Sequence, residues 1–566
     1  MVIFDGEYLI VKIKRESYRE LLKLSEKSGH FEYLPTVNSV VLSPTRKIAR
    51  ELYDLGYAFD QSARHFIKER VLDFRSVDGT KELYPFQKEG VKQMLSMGTN
   101  VLLGDEQGLG KTPQGSYYLK ASKNSFPALV ICPASLKENW KKEIKIWTGR
   151  DSYIIEGKKP KKLPDSLLSQ YPVIIINYDI LGEENKEEKA EELKARKKAK
   201  EEGYIRKKRT LKVYGWCDEF IKHDFKNILC DECQYISGLD TIRSRAVSQI
   251  CQSLPNAKKI MISGTPYETR TVQFYPCLHI VAPTVFNNEY RYKMRYCDPV
   301  RNAWGWQFKG LSNASELHSL IAPYMIRRLK KDVLPELPEK VRSVVPMKVS
   351  RKDREYYDTV DMELEQAILN GESNALSKLE KLKQASFRAK IDSMIQWIKD
   401  YLESEEKLVV FIWHKESFEI VNEEFRKISV SITGDTPNKQ RDKAVTRFQN
   451  DSKVKLFIGQ IRSAGTGITL TKAHAVAFLE FGNTAPSMEQ AEDRVHRISQ
   501  EADSVLAYYL VMENSIDEQI MEVLNQRNKD LKKVLNNTDE DLFSPVIEKK
   551  FSQLILQEYK KRKNLK

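Results

Sequence analysis

Short apolar runs, each bounded by polar residues and followed by a stretch of helical spacing, recur along most of this chain in two blocks. The first block holds Val101-Leu102-Leu103, Ala128-Leu129-Val130-Ile131-Cys132, Val173-Ile174-Ile175-Ile176, Ile228-Leu229-Cys230 and Ile260-Met261-Ile262. The second holds Leu408-Val409-Val410-Phe411-Ile412, Val430-Ser431-Ile432, Lys455-Leu456-Phe457-Ile458, Ala475-Val476-Ala477-Phe478-Leu479 and Val505-Leu506-Ala507-Tyr508-Tyr509-Leu510. A strand that is apolar along its length is buried on both faces. The arrangement that buries it is a parallel sheet with helices on either side. The expected fold class is therefore α/β, with two parallel-sheet lobes in tandem. At 566 residues the chain is too long for one core.

The lobes are expected at 79–335 and 336–530. The segment Leu334-Pro335-Glu336-Leu337-Pro338 divides them, because its prolines stop helix on either side. Residues 1–78 read as a small α+β module: Tyr8 to Ile13 and Val37 to Leu42 as strands, Glu16 to Ser28 and Thr45 to Leu55 as helices. Residues 183–215 form a charged helical insertion in the first lobe, acidic first and basic after, ending in Arg206-Lys207-Lys208-Arg209. A helical protrusion is expected at about 353–400 in the second lobe, and 531–566 as a basic C-terminal helix or tail.

The net charge of +14 favours a polyanionic partner, most simply nucleic acid. The seven cysteines are irregularly spaced and point to a reducing, intracellular setting. Cys230 and Cys233 have no second pair at zinc spacing, so they read as small buried residues beside an acidic site. No apolar stretch approaches membrane-spanning length, and Met1 to Glu7 is acidic where a secretory leader needs a basic flank. A monomer without membrane association is expected.

The chemistry sits at the ends of the apolar runs. After Val101-Leu102-Leu103 comes Gly104-Asp105-Glu106-Gln107-Gly108-Leu109-Gly110-Lys111-Thr112, and a helix follows. Strand, tight loop and helix is the setting of a phosphate-binding loop. Gly108 and Gly110 let backbone N–H groups turn inward, Lys111 meets the terminal phosphates of ATP, and Thr112 holds Mg²⁺. Asp105 stands where the strict pattern has glycine. Asp231-Glu232 ends another apolar run, with Asp231 placed for Mg²⁺ and Glu232 for deprotonating water. Ser263-Gly264-Thr265-Pro266 supplies small hydroxyls that sense the γ-phosphate. Arg494 and Arg497 are three apart on an expected helix and suit a transition-state role, supplied from the second lobe; surface pairing with Glu492 and Asp493 is the alternative.

Taken in order, these segments resemble the Snf2-type branch of superfamily 2 helicase-like ATPases, over roughly Leu83 to Gln526. Tyr84 to Gly90 is similar to the Q motif, Asp105 to Thr112 to motif I (where Asp105 is ordinary), Ile131 to Trp140 to motif Ia and Asn177 to Leu181 to motif Ib. Asp231 to Gln234 resembles motif II, Ser263 to Pro266 motif III, Val410 to His414 motif IV, Ser463 to Thr471 motif V and Gln490 to Gln500 motif VI. Ile326 to Leu334 resembles the family's lobe junction, and Phe31 to Asp60 is faintly similar to a substrate-recognition module found ahead of annealing helicases. Gln234 replaces the family's usual His, and Ser499 its usual Gly.

The resemblance implies two RecA-like lobes that use ATP and Mg²⁺. It implies that Gln87 reads adenine, that Gly467 lies by the nucleotide, and that Gln490, Arg494 and Arg497 join Lys111, Asp231 and Glu232 in catalysis. It implies phosphate contacts to DNA, without sequence preference, from Pro133, Ser135, Asn177, Trp413, His414, Ser463 and Thr466. The function implied is an ATP-dependent translocase on duplex or branched DNA, for branch migration, fork remodelling or annealing. An RNA-stimulated helicase and a slow nucleotide-gated DNA clamp remain alternatives.

Overall fold

The computed structural model describes residues 2–538 apart from 5–7, 15, 17, 29–30, 36–37, 44, 61–62, 64–71, 203, 205–210, 239, 268–269, 303–304, 405, 465–467, 483 and 499. Arg206 to Arg209 and the expected tail beyond residue 538 therefore lie outside the described residues. The chain divides into two compact units. One holds Met1–Glu106 and Gly110–Arg328; the other holds Gln107–Leu109 and Leu329–Lys566. The division falls at Arg328–Leu329, ahead of the prolines of Leu334 to Pro338.

The first unit carries a seven-stranded sheet. Its order is Met325–Ile326, Val101–Leu103, Lys258–Ile262, Asn227–Asp231, Ala128–Cys132, Val173–Asn177 and Ser152–Ile154, with every neighbour parallel. The five interior strands are almost completely buried, as their unbroken apolar runs require. Of the two edge strands, Met325–Ile326 is only two residues long and Ser152–Ile154 mixes polar and apolar residues, which is why neither stands out as an apolar run. Because the strands are parallel, their carboxyl ends share one edge. Gly104, Pro133, Asn177, Glu232 and Ser263 all fall there.

The amino-terminal part of this unit has a separate four-stranded antiparallel sheet in the order Val2–Phe4, Leu9–Lys12, Ser39–Leu42, Phe31–Leu34. Helices Tyr18–Ser28 and Arg46–Asp54 contribute Leu21, Leu24, Ile48 and Leu52 to its core with Leu9, Val11, Val40 and Leu42. The structure adds two strands to the two expected from the sequence, Val2–Phe4 and Phe31–Leu34. The charged insertion contains the helix Lys186–Glu201, tied at its base by the strand pair Glu183–Glu184 with Val213–Tyr214.

The second unit has a six-stranded parallel sheet in the order Glu339–Met347, Ser504–Met512, Ala475–Phe478, Leu408–Ile412, Leu456–Gln460, Ser429–Ile432. Glu339–Met347 has no apolar-run signature. It is an edge strand that carries Glu339, Lys340 and Arg342 in its first half and contains Pro346, a residue tolerated at edges. Helices Arg351–Leu369 and Ala375–Leu402 pack on this unit's core through Tyr357, Leu364, Leu379 and Leu382. No helix among the described residues is long and apolar enough to cross a membrane.

Candidate nucleotide site and nucleic-acid-facing segments

The buried strand Val101–Leu103 of the first unit leads into a loop in which Gly110 has φ of +71° and Gly108, grouped with the second unit, has φ of +87°. Gly110 precedes the helix Lys111–Ala121, and its conformation strains any L side chain. A Cβ there would also lie 2.3 Å from Gln87 Nε2. Gln87 is fixed from its other end, since its Oε1 accepts from the Tyr84 amide at 3.0 Å. The structure thus brings Gln87, Gly110 and Lys111 together. Lys111 is buried, and its ammonium donates to the carbonyls of Asp105 (2.9 Å) and Glu106 (3.2 Å). Burial pulls its pKa down, and the charges of Glu232, Asp105 and Asp231 oppose that pull. Thr112 follows at the helix's second position, half-buried.

Asp231 closes the strand Asn227–Asp231. Its Oδ2 accepts from the indole of Trp140 (2.7 Å), itself fully buried, and its Oδ1 from the Glu232 amide (3.0 Å). Burial, then the neighbouring Glu232 charge, raise the Asp231 carboxyl to about 7. Glu232 adopts φ +50°, an uncommon conformation for a non-glycine residue. It begins a chain of hydrogen bonds: Gln234 Nε2 donates to Glu232 Oε2 (2.8 Å), Ser263 Oγ to Gln234 Oε1 (2.7 Å), and the Thr265 amide to Ser263 Oγ (3.0 Å). Gln234, which stands for the family's histidine, thereby spends both ends of its amide joining two loops within this unit. The chain ends at the Thr265 hydroxyl, which is buried and has no hydrogen-bond partner among the described residues.

Asp105, the apparent anomaly, is fully buried. Arg328 grips it through Nε to Oδ1 (2.9 Å) and Nη2 to Oδ2 (2.5 Å), and Gln114 adds a bond to Oδ2 (2.9 Å). Such a fork compensates a desolvated carboxylate. Arg328 also donates to the Phe86 carbonyl beside Gln87, and Arg327 donates to the carbonyls of Gly104 (2.5 Å) and Gly264 (2.8 Å). These two arginines tie the phosphate loop, the Gln87 helix and the Ser263 loop into one rigid frame. Sequence reasoning placed them only at a junction. The signal that could have found them is the buried-type Asp105 in a glycine position, which demands a cation.

In the second unit the helix Ala485–Glu492 stops before Arg494. The expectation that Arg494 and Arg497 share a helical face is corrected: residues 493–498 form successive turns and bends. The two guanidinium groups still converge. Arg494 donates to the Gln490 carbonyl (3.0 Å) and the Ile468 carbonyl (3.2 Å), and Arg497 to the Asp493 carbonyl (3.2 Å) and Thr469 Oγ1 (2.8 Å). Gln490 is buried beside them. Burial lowers the Arg497 pKa against the pull of Asp493, and Arg497 makes no ion pair among the described residues. Glu492 and Asp493, the alternative partners on the sequence, are buried and held by other cations. Arg342 holds Glu492 at 2.7 and 2.8 Å, Lys340 holds both acids at 2.9 and 3.0 Å, and Lys330 holds Asp493 at 2.8 Å.

The expected DNA contacts fit the structure unevenly. Ser135 is exposed, but Pro133 and Asn177 are buried at strand ends and present little to a phosphate. His414 lies between Glu480 (2.8 Å) and Glu380 (3.6 Å). Burial lowers its pKa, but the bonds to Glu380 and Glu480 outweigh that and raise it to about 9. Its charge is engaged by those two carboxylates, with which a phosphate would have to compete. Trp413 is half-buried with its amide on Glu480 (2.9 Å), and the Ser463 carbonyl accepts from Arg441 (2.8 Å). Thr466 and Gly467 lie outside the described residues.

No cluster of three or more His, Cys, Asp or Glu able to hold a metal occurs among the described residues. The first unit nevertheless fits a metal–nucleotide pair. Two adjacent buried carboxylates at the end of a strand want a cation, and a buried ammonium with positive-φ glycines wants an anion. A structural metal site would supply all of its own ligands, whereas here phosphate oxygens would supply the remainder.

Comparison with known proteins agrees with this layout. A family model for the SNF2-related domain matches residues 86–403, and one for the helicase conserved C-terminal domain matches 389–499. A Xenopus laevis protein, "SWI/SNF-related matrix-associated actin-dependent regulator of chromatin subfamily A-like protein 1", is 30% identical across 79% of this chain and 43% of its own length. The human "DNA annealing helicase and endonuclease ZRANB3" is 28% identical across 84% of this chain and 42% of its own. The chain therefore spans less than half the length of these two relatives. A solved "Sulfolobus solfataricus SWI2/SNF2 ATPase core in complex with dsDNA" covers 87% of this chain and 99% of its own, at 22% identity and a TM-score of 0.37.

Proposed function

The chain belongs to the SNF2-related family, and on that premise we propose that it is a DNA-dependent ATPase that translocates on duplex or branched DNA inside the cell. The observation that carries the reading is the buried Asp231-Glu232 pair beside Lys111, with Asp231 raised to about 7. A carboxylate pair kept this far out of water without a full set of cations is a poor structural choice and a good ligand for a cation that arrives with its substrate. When bound, Mg²⁺ supplies charge neutralisation for the phosphates. Thr112 and Asp231 would hold it. Gln87 would orient the base, and Gly108, Gly110 and Lys111 would cradle the phosphates. Glu232 takes the proton of the attacking water. Its link through Gln234 and Ser263 to Thr265 reports the state of the terminal phosphate to the neighbouring loop. Gln490 would position that water, and Gly467 would lie by the nucleotide.

Arg494 and Arg497 would stabilise the charge that develops on the transferring phosphoryl group. The support is their convergence at Ile468 and Thr469 and the absence of an ion pair on Arg497 among the described residues. DNA contacts of the phosphate-gripping kind would come from Ser135, Trp413, Ser463 and Thr466. Remodelling of forks or annealing of strands is the favoured outcome of movement, because one of the two relatives is named a DNA annealing helicase.

The test is ATP hydrolysis with single-stranded DNA, blunt duplex, a four-way junction and RNA at matched salt. A motor of this kind is stimulated most by duplex-containing DNA, and stimulation falls steeply as salt rises. Equal stimulation by RNA, or slow turnover with every nucleic acid, would remove the reading.

A further inference from the structure

Between the helix Glu289–Tyr296 and the helix Ala314–Ile321 the first unit carries a two-stranded hairpin that belongs to neither large sheet. Pro299–Asn302 pairs antiparallel with Gly305–Phe308, with Pro299 opposite Phe308 and Arg301 opposite Trp306. Alternate residues of a strand share a face. Arg301, Trp306, Pro299 and Phe308 therefore form one face, and the Lys293 ammonium lies 5.9 Å from the Phe308 ring centroid. Trp306 is 43% exposed, and Arg301 is exposed beside it. Among the described residues Trp306 makes no ring contact and Arg301 no ion pair.

The stem of the hairpin is firmly fixed. The Asp298 amide donates to Ser312 Oγ (3.1 Å), and Ser312 Oγ and Asn313 Nδ2 both donate to the Arg295 carbonyl (2.8 and 2.7 Å). Gly310 packs so closely that a Cβ would lie 2.6 Å from Asp298 Oδ2. An isolated two-strand ribbon is marginal in water, so this one is held out from its base. The surroundings are cationic: residues 289–313 contain five basic side chains and two acidic ones. Glu289 is taken by Lys293 and Glu316 by Arg295, while Arg291 and Arg301 pair with no acid among the described residues.

We propose that the Arg301–Trp306 face of this hairpin is a stacking platform for single-stranded DNA. The inference rests on the DNA-translocase reading and adds a site to it. An exposed indole offers its flat face to an unstacked base, and a guanidinium directly across the ribbon reaches the adjoining phosphate. In duplex DNA the base faces are already covered by their neighbours, so this surface selects single-stranded arms and gaps. Because the stem is already ordered, little conformational entropy is lost on binding.

The experiment uses the full chain and fluorescence anisotropy with three labelled DNAs: a single strand, a fork with single-stranded arms, and a blunt duplex. Trp306→Ala and Arg301→Gln are each expected to weaken single-strand and fork binding by about tenfold, with blunt-duplex affinity changed by less than about twofold. Trp306→Phe recovers most of the loss, because it keeps a stacking face. ATPase stimulated by blunt duplex stays at the parent level in all three variants, which reports an intact fold. Unchanged single-strand affinity in Trp306→Ala and Arg301→Gln overturns the proposal, as does a loss equal on all three DNAs. If the parent binds none of the three DNAs, the translocase reading itself has failed. A parent that binds DNA while the variants match it defeats the hairpin alone.

Discussion

Among the described residues two pairs of adjacent acids are buried, Asp231-Glu232 in the first unit and Glu492-Asp493 in the second, and the structure treats them in opposite ways. Burial, then the neighbouring Glu232 charge, raise Asp231 to about 7, and the Trp140 indole and the Lys111 charge offset this only in part. Burial would also raise Glu492, but Arg342 and Lys340 outweigh it and hold the carboxyl at about 2. Asp493 is likewise held well below the ordinary carboxylate range by Lys330 and Lys340 against its burial. The same two residue types thus form a pair short of cations in one unit and a structural clamp where cations are supplied in the other. The clamp ties the motif VI segment to the edge strand Glu339–Met347 and leaves the neighbouring Arg497 without an ion pair among the described residues.

Breaking each pair should therefore show in different measurements. Glu232→Gln should lower ATP turnover by about 10²–10⁴-fold while leaving nucleotide binding and folding intact, seen by steady-state hydrolysis alongside calorimetric binding. Arg342→Ala removes the forked partner of the buried Glu492 carboxylate and leaves it to Lys340. It should cost about 3–5 kcal/mol of stability in urea unfolding, and Arg342→Lys should restore part of that.

The pH dependences carry opposite signs. Asp231 has a folded pKa near 7, above the ordinary carboxylate value. The folded state then holds a proton that the unfolded chain releases, so stability declines as pH rises from about 4 towards about 7. Glu492, held at about 2, contributes stability above its ordinary pKa that is lost as pH falls towards about 2. Asp231→Asn should flatten the first decline and raise stability at about pH 8 by about 1–3 kcal/mol, read from melting temperatures across the range. The smallest effect is expected at Gln234. Gln234→Leu cuts the link between Glu232 and Ser263 and should cost about 1 kcal/mol in stability, while Gln234→His keeps a donor there and stays closer to the parent.

What was readable in advance follows from whether the responsible force is local. Ala128–Cys132 and Leu408–Ile412 declare themselves because burial on both faces writes an unbroken apolar run into the sequence. Glu339–Met347 does not, because its inward-facing Lys340 and Arg342 are there for the acids near residue 492 and spoil any apolar pattern. Asp105 looked out of place for the same reason: its partner Arg328 is 223 residues away in sequence. The phosphate-loop glycines, Lys111 and Asp231-Glu232 were legible because phosphate chemistry fixes residue types at short spacing. The turn conformation of Arg494 and the confinement of His414 between Glu380 and Glu480 depend on tertiary packing that no short window contains. The hairpin at Pro299–Phe308 was missed because four-residue strands carrying Arg301 and Asn302 give no apolar alternation.

The most direct test of the central claim is ATP hydrolysis by the parent and by Lys111→Ala, each with and without blunt duplex DNA. The parent's rate should rise at least about tenfold with DNA, and the variant should stay at background in both conditions, since removing the buried ammonium takes away a transition-state charge of the kind that supplies several kcal/mol. Hydrolysis by Lys111→Ala at the parent's rate, or a parent indifferent to DNA, would contradict the account.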